Sequence, residues 1–141
     1  ESIIIVALTV YTKNLSFLVE GWHSLERYHN GARIGAKILE KNIPGERTFV
    51  PTTVQLVKML DSDRIDTLVE WDLVAENVIR NLKVMSIHKL SPPIKVQPFH
   101  IYIHKKHQAL IPEIVQVLKD MKEDGAFDKI KIDVLGKFNL N

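Results

Sequence analysis

Apolar and polar positions change period several times along the chain, and each change marks an element. Ile3-Ile4-Ile5-Val6-Ala7-Leu8-Thr9-Val10-Tyr11 is a continuous run rich in β-branched residues, the pattern of a strand covered on both faces. Lys13-Asn14 breaks it. Residues 21–28 hold at most a short helical turn with Ser24 as its cap. Asn30-Gly31 turns into a second strand at 32–36. Residues 38–42 predict a short helical piece before the Pro44-Gly45 turn, and Thr48-Phe49-Val50 a short strand. Pro51-Thr52-Thr53 caps a helix carrying Val54, Val57, Met59 and Leu60, which Asp61-Ser62-Asp63 ends. A buried strand at 65–69 follows, then a helix at 73–82 capped by Asp72, then a strand at 83–87. Ser91-Pro92-Pro93 is a rigid loop that cannot continue that strand.

The clearest pattern comes last. Phe99, Ile101 and Ile103 alternate with His100, Tyr102 and His104, the period of two that separates the faces of a strand at 99–104. After a short basic turn, Ile111, Ile114, Val115, Leu118 and Met121 fall at helical spacing on one stripe. Pro112 suits the first turn, and Gly125 can take the left-handed conformation that stops the helix and opens a second, short one. Phe127 and Ile130 dock the segment after that glycine. Strands alternating with helices through short loops predict the α/β class, a mostly parallel sheet with flanking helices.

Composition narrows the function more than the fold. At 141 residues, 45% apolar and 26% charged, the chain is the size of one domain or one large lobe and has globular composition. The net charge of +2 gives no electrostatic support for a nucleic-acid partner. Lysines 105, 106, 119, 122, 129 and 131 cluster late, but Asp120, Glu123, Asp124 and Asp128 interleave with them, as on a solvated helix face. The absence of cysteine excludes disulfides and thiolate metal sites. No apolar run is long enough to span a bilayer, and residues 3–8 lack the basic segment of a signal peptide. The chain begins at Glu1 rather than Met, so a processed or partial product is expected.

Candidate chemistry is sparse. His100 and His104 share a face of the expected strand, with Tyr102 between them and His107 after. They can be read as zinc ligands or as surface histidines, and nothing supplies a fourth ligand at a recognisable spacing. The serines sit in no nucleophile-elbow context, no Gly-rich phosphate loop is present, and Asp61 and Asp63 are explained by capping. Neither an enzyme nor a cofactor is expected.

The stretch Ile101-Tyr102-Ile103-His104-Lys105-Lys106-His107, residues 110–121, and Glu123-Asp124-Gly125-Ala126-Phe127-Asp128-Lys129-Ile130 together resemble the C-terminal end of bacterial periplasmic solute-binding proteins of the amino-acid type. The resemblance extends backwards. Trp22-His23-Ser24-Leu25-Glu26-Arg27-Tyr28 before Gly31-Ala32-Arg33-Ile34-Gly35, and residues 54–66 with Leu60 and Arg64-Ile65-Asp66 in register, match motifs of that family's second lobe in the family's order. The resemblance implies a type II periplasmic-binding-protein fold in its C-terminal portion. Residues 1–11 are then the first crossing strand, 12–98 the second lobe, and 99–141 the return hinge strand with terminal helices of the first lobe. Hinge strands are implied near Val10-Tyr11 and Phe99-His100.

The same resemblance implies a small polar solute such as an amino acid, import through an ABC permease or sensing through a sensor domain, and a periplasmic or extracellular location. The candidate ligand-binding residues are Lys37, Glu40, Glu70, Trp71 and Asp72. In the family a Gly-Thr or Gly-Ser pair opens the helix that receives the ligand carboxylate; here the positions are Leu39-Glu40, and a glutamate repels a carboxylate. An acid after the strand that follows the Arg-x-Asp motif meets the ligand's amino group. This chain offers Trp71 flanked by Glu70 and Asp72, read either as a cation-binding or stacking wall or as a helix cap with packing. A degenerate relative that acts through protein contacts is the alternative function. Burial of a leucine-sized side chain contributes roughly 1.5–3 kcal/mol, so the apolar strand at 3–8 and helix at 111–121 require a covering partner. A missing N-terminal lobe or a second copy of the chain is expected to supply it.

Overall fold

The computed structural model describes residues 2–137; residue 1 and residues 138–141, which the expected divisions include, lie outside the described residues. The chain folds as two compact units. One comprises Val6–Gln97; the other joins the chain's two ends, up to Ile5 and from Pro98 onward.

The strands form one open sheet, most of which belongs to the larger unit. They are β1 (Ser2–Thr12), β2 (Asn30–Arg33), β3 (Arg47–Val50), β4 (Thr67–Trp71), β5 (His88–Lys89) and β6 (Lys95–His100). Their order is β3-β2-β4-β1-β5, with β6 also pairing with β1. The β3 side is parallel: β2 pairs with β3 (Asn30 opposite Arg47) and with β4 (Asn30 opposite Thr67). Parallel neighbours need crossovers. These are α1 (Lys37–Asn42) between β2 and β3, and α2 (Thr53–Asp61) between β3 and β4. β1 joins antiparallel to β4, from Leu8 opposite Trp71 to Thr12 opposite Thr67, and β5 joins antiparallel to β1. A further helix, α3 (Asp72–Asn81), follows β4 directly.

The doubly covered strand read from the opening apolar run holds from Val6 onward. Leu8 and Val10 enter one buried cluster with Leu25, Ala32, Leu39, Ile43 and Val69. Tyr11 enters another with Leu56, Val57, Leu60, Leu68 and Ala75. Adjacent β4 residues, Leu68 and Val69, divide between the same two clusters, as the period-two alternation of a strand requires. The α1 side thus covers one face and α2 with α3 the other. Gly31 sits where a Cβ would lie 2.4 Å from Ile65 Cδ1, so a larger residue there would push the Ile65 and Leu56 side chains aside.

Several boundaries differ from expectation, each for a local reason. The strand expected at 32–36 starts at Asn30 and stops at Arg33, because Gly35 turns at φ 85°. The strand expected at 65–69 begins at Thr67, after Asp63 turns at φ 57° and Asp66 N–H donates to the His29 carbonyl. No strand forms at 83–87: Lys83 has φ 54°, and Val84 N–H turns back to the Ile79 carbonyl at 3.1 Å. The pairing resumes only at His88-Lys89. Asp72 is not the N-cap of α3 but its first helical residue; Trp71 holds the cap position.

In the smaller unit, β6 ends at His100, so residues 101–104 are not strand despite their alternation. His104 instead caps a short 3-10 helix, its Nδ1 accepting from Lys106 N–H. The shared face expected of His100 and His104 is therefore not built, and among the described residues no group of three or more ligating side chains can hold a metal. Then come α4 (Ile111–Glu123), with Pro112 in its first turn, and α5 (Ala126–Lys137) after Gly125 at φ 80°. No α4 residue is fully buried; Ile114, Val115, Leu118 and Met121 are half-buried. Lys122 Nζ donates to the Ser2 carbonyl at 2.6 Å, tying α4 to the start of the chain.

Candidate functional site at the carboxyl ends of the parallel strands

In open α/β sheets the crevice outside the carboxyl ends of parallel strands is the usual ligand position. Here β2, β3 and β4 end at Arg33, Val50 and Trp71, and α1, α2 and α3 start nearby in sequence at Lys37, Thr53 and Asp72. The register pairing Asn30 with Thr67 brings Arg33 level with Glu70 three residues on.

Those two residues form the centre of the site. Glu70 is fully buried, and a buried carboxylate requires partners. Its Oε2 accepts from Arg33 Nε at 2.5 Å and from Thr53 Oγ1 at 3.0 Å. Its Oε1 accepts from the Trp71 N–H at 2.9 Å and from Arg33 Nη2 at 3.3 Å. Arg33 is engaged bidentately, the strong geometry for guanidinium and carboxylate. The hydrogen bond to Glu70 raises its pKa further, while its side chain remains 36% exposed. Thr53 reaches Glu70 because Thr52 starts α2 in a reciprocal cap: Thr52 Oγ1 accepts from Gln55 N–H, and the Gln55 side chain accepts from Thr52 N–H.

Among the described residues, of the other expected ones only Trp71 touches this pair, through its backbone N–H. Asp72 is half-buried, and its Oδ1 accepts from Leu73 N–H at 2.9 Å and Ala7 N–H at 3.2 Å, linking α3 to β1. Trp71 is half-buried and packs on the cluster of Leu8, Val69 and Leu39. Lys37 and Glu40 are exposed on α1. Glu40 Oε1 accepts from Gly35 N–H at 2.7 Å, so it closes the turn before its own helix. Among the described residues no hydrogen bond joins Lys37 or Glu40 to Arg33 or Glu70.

Sequence reasoning singled out Glu70 but not its partners Arg33 and Thr53. An arginine at the end of an otherwise apolar strand, with a glutamate near the end of a later one, was the available signal.

No protein-family profile matches the chain. An uncharacterized protein of Shewanella oneidensis is 24% identical over 147 aligned positions, covering 98% of this chain and 55% of the relative. The chain thus spans about half the length of that curated relative. Solved structures match more broadly. An amino-acid ABC transporter substrate-binding protein from Streptococcus pneumoniae, bound to L-arginine, superposes with a TM-score of 0.75 at 18% identity, over 100% of this chain and 61% of its own. The substrate-binding protein of another amino-acid ABC transporter gives 0.72 at 22% identity, over 97% and 62%. A histidine kinase sensor domain similar to periplasmic binding proteins gives 0.75 at 14% identity, over 94% and 60%. The chain thus shares the fold of these structures and spans about 60% of their length.

Proposed function

We propose that the chain is a lobe of a solute-binding module for a small polar solute such as an amino acid, serving ABC-type import or sensing in the periplasm or outside the cell. The observation that carries this reading is the end of the parallel sheet. There a bidentate ion pair meets the first turn of α2 and the backbone N–H that precedes α3, in a fold shared with substrate-binding proteins. In this reading Lys37, Glu40, Glu70, Trp71 and Asp72 remain the proposed ligand-binding residues, with Glu70 acting through Arg33. The reading gives the chain no catalytic role. Among the described residues, no helix is long and apolar enough to cross a membrane.

The module is completed by an N-terminal lobe or a second copy, with 1–11 as the first crossing strand, 12–98 as the second lobe, and 99–141 as the return hinge strand with terminal helices of the first lobe. The chain passes between its compact units within β1, at Ile5 to Val6, and within β6, at Gln97 to Pro98, which suits two crossing strands as hinges. Solute that binds only a closed arrangement shifts the equilibrium toward it.

A second reading, a solute-binding-like domain that acts through protein contacts alone, draws support from Glu70, both of whose oxygens are held by Arg33, Thr53 and the Trp71 N–H, and from Glu40, one of whose oxygens closes the turn before its own helix. A thermal-shift screen of the full-length natural protein against amino acids and other small polar solutes separates the two. Saturable stabilisation by one class is expected; no stabilisation by any of them leaves the contact-only reading.

A further inference from the structure

A carboxylate offers two oxygens and about four lone-pair positions. In Glu70, Arg33 Nε and Thr53 Oγ1 occupy Oε2, and Arg33 Nη2 with the Trp71 N–H occupy Oε1. A ligand ammonium reaching this carboxylate finds no acceptor position open. Displacing Arg33 would strip a fully buried carboxylate of its charge-assisted partner, the costly way to break a buried pair. The guanidinium is in the opposite situation. It carries five N–H donors, Glu70 takes two of them, and no other hydrogen bond within the described residues uses Nη1. The side chain is 36% exposed at the carboxyl end of β2.

The groups that argue for a cation instead are Asp72 and Glu40. Each has one oxygen tied to backbone, Asp72 Oδ1 to Ala7 and Leu73 N–H, and Glu40 Oε1 to Gly35 N–H, and among the described residues no hydrogen bond joins either acid to Arg33. Lys37, exposed in the first turn of α1, adds a cation beside Glu40.

From this inventory we infer that Arg33 is the specificity-determining residue of the lobe, and that the solute it takes is recognised through a carboxylate with no requirement for an ammonium group. The inference rests on the solute-binding reading above and names the ligand class for that site. Glu70 and Thr53 act through Arg33, holding the guanidinium in place.

The test uses matched trios in thermal shift and calorimetry on the full-length natural protein: an L-amino acid, the same molecule without its α-amino group, and the same molecule without its carboxylate. The glutamine series (glutamine, 4-carbamoylbutanoate, 4-aminobutanamide) and the corresponding arginine series come first. The deaminated acid is expected to bind within a few-fold of the amino acid, and the amine not to bind. A loss of about tenfold or more on deamination, or binding of the amine, overturns the inference and leaves the solute-binding reading standing. Silence from every member of every trio overturns both. The double variant Arg33→Gln/Glu70→Gln keeps a neutral hydrogen-bonding pair and is expected to unfold cooperatively while losing carboxylate affinity by about tenfold or more. Unchanged affinity in that folded variant overturns the assignment to Arg33.

Discussion

Tyr11 shows how one buried hydroxyl makes stability depend on pH. It stands in β1 opposite Leu68 and is 2% exposed. Burial first, then the nearby charges of Glu76, Asp72 and Glu70, push its pKa well above its ordinary value of 10.0. The folded state therefore keeps the proton after the unfolded chain has lost it, and stability falls as pH rises above about 10. One such group contributes a slope of roughly 1.4 kcal/mol per pH unit in that range. Urea unfolding at pH 9, 10 and 11 should show wild type losing ground steadily to Tyr11→Phe, the variant that has no proton to release. A constant difference between the two proteins across that range would rule Tyr11 out as the responsible group.

Among the elements, α2 is the one whose start can be tested most directly. Its Thr52–Gln55 box satisfies two N–H groups that the first turn leaves without helical partners. Thr52→Ala should cost about 1 kcal/mol in urea unfolding. It should also loosen the first turn, where Thr53 meets Glu70. This helix start was legible in the sequence because capping is local chemistry, as were Pro112 at the head of α4 and Gly125 after it. Pairing is not local. The alternation at 99–104 states which side chains would share a face if a neighbouring strand were present, and the strand itself stops at His100. Lys83, turning at positive φ, ends the run that otherwise read as strand at 83–87. The Arg33–Glu70 pair spans 37 residues and exists only because β2 and β4 are parallel neighbours in one register. The carboxylate was visible in the sequence; the guanidinium that occupies it depended on strand order.

At the scale of the whole molecule the two units differ in how much they bury. The larger one closes two apolar clusters, one on each face of its sheet. The smaller one leaves Phe99, Ile101, Leu110, Ile111, Val117, Ile130, Ile132 and Val134 exposed, along with Ile5 near the chain's start. Exposed apolar side chains in such number, where they form a patch, mark a contact site or an association liability. The 141-residue chain alone should therefore bind an apolar fluorescent dye and gain mass with concentration in sedimentation equilibrium. Val117→Glu with Ile132→Glu places charge on α4 and α5 at positions that are 49% and 68% exposed, where little packing is lost. The pair should reduce both dye binding and association while leaving the thermal midpoint of the larger unit unchanged. A chain that stays monomeric and dye-silent would mean these residues cover one another in solution; a midpoint lowered by the substitutions would mean they belong to a core.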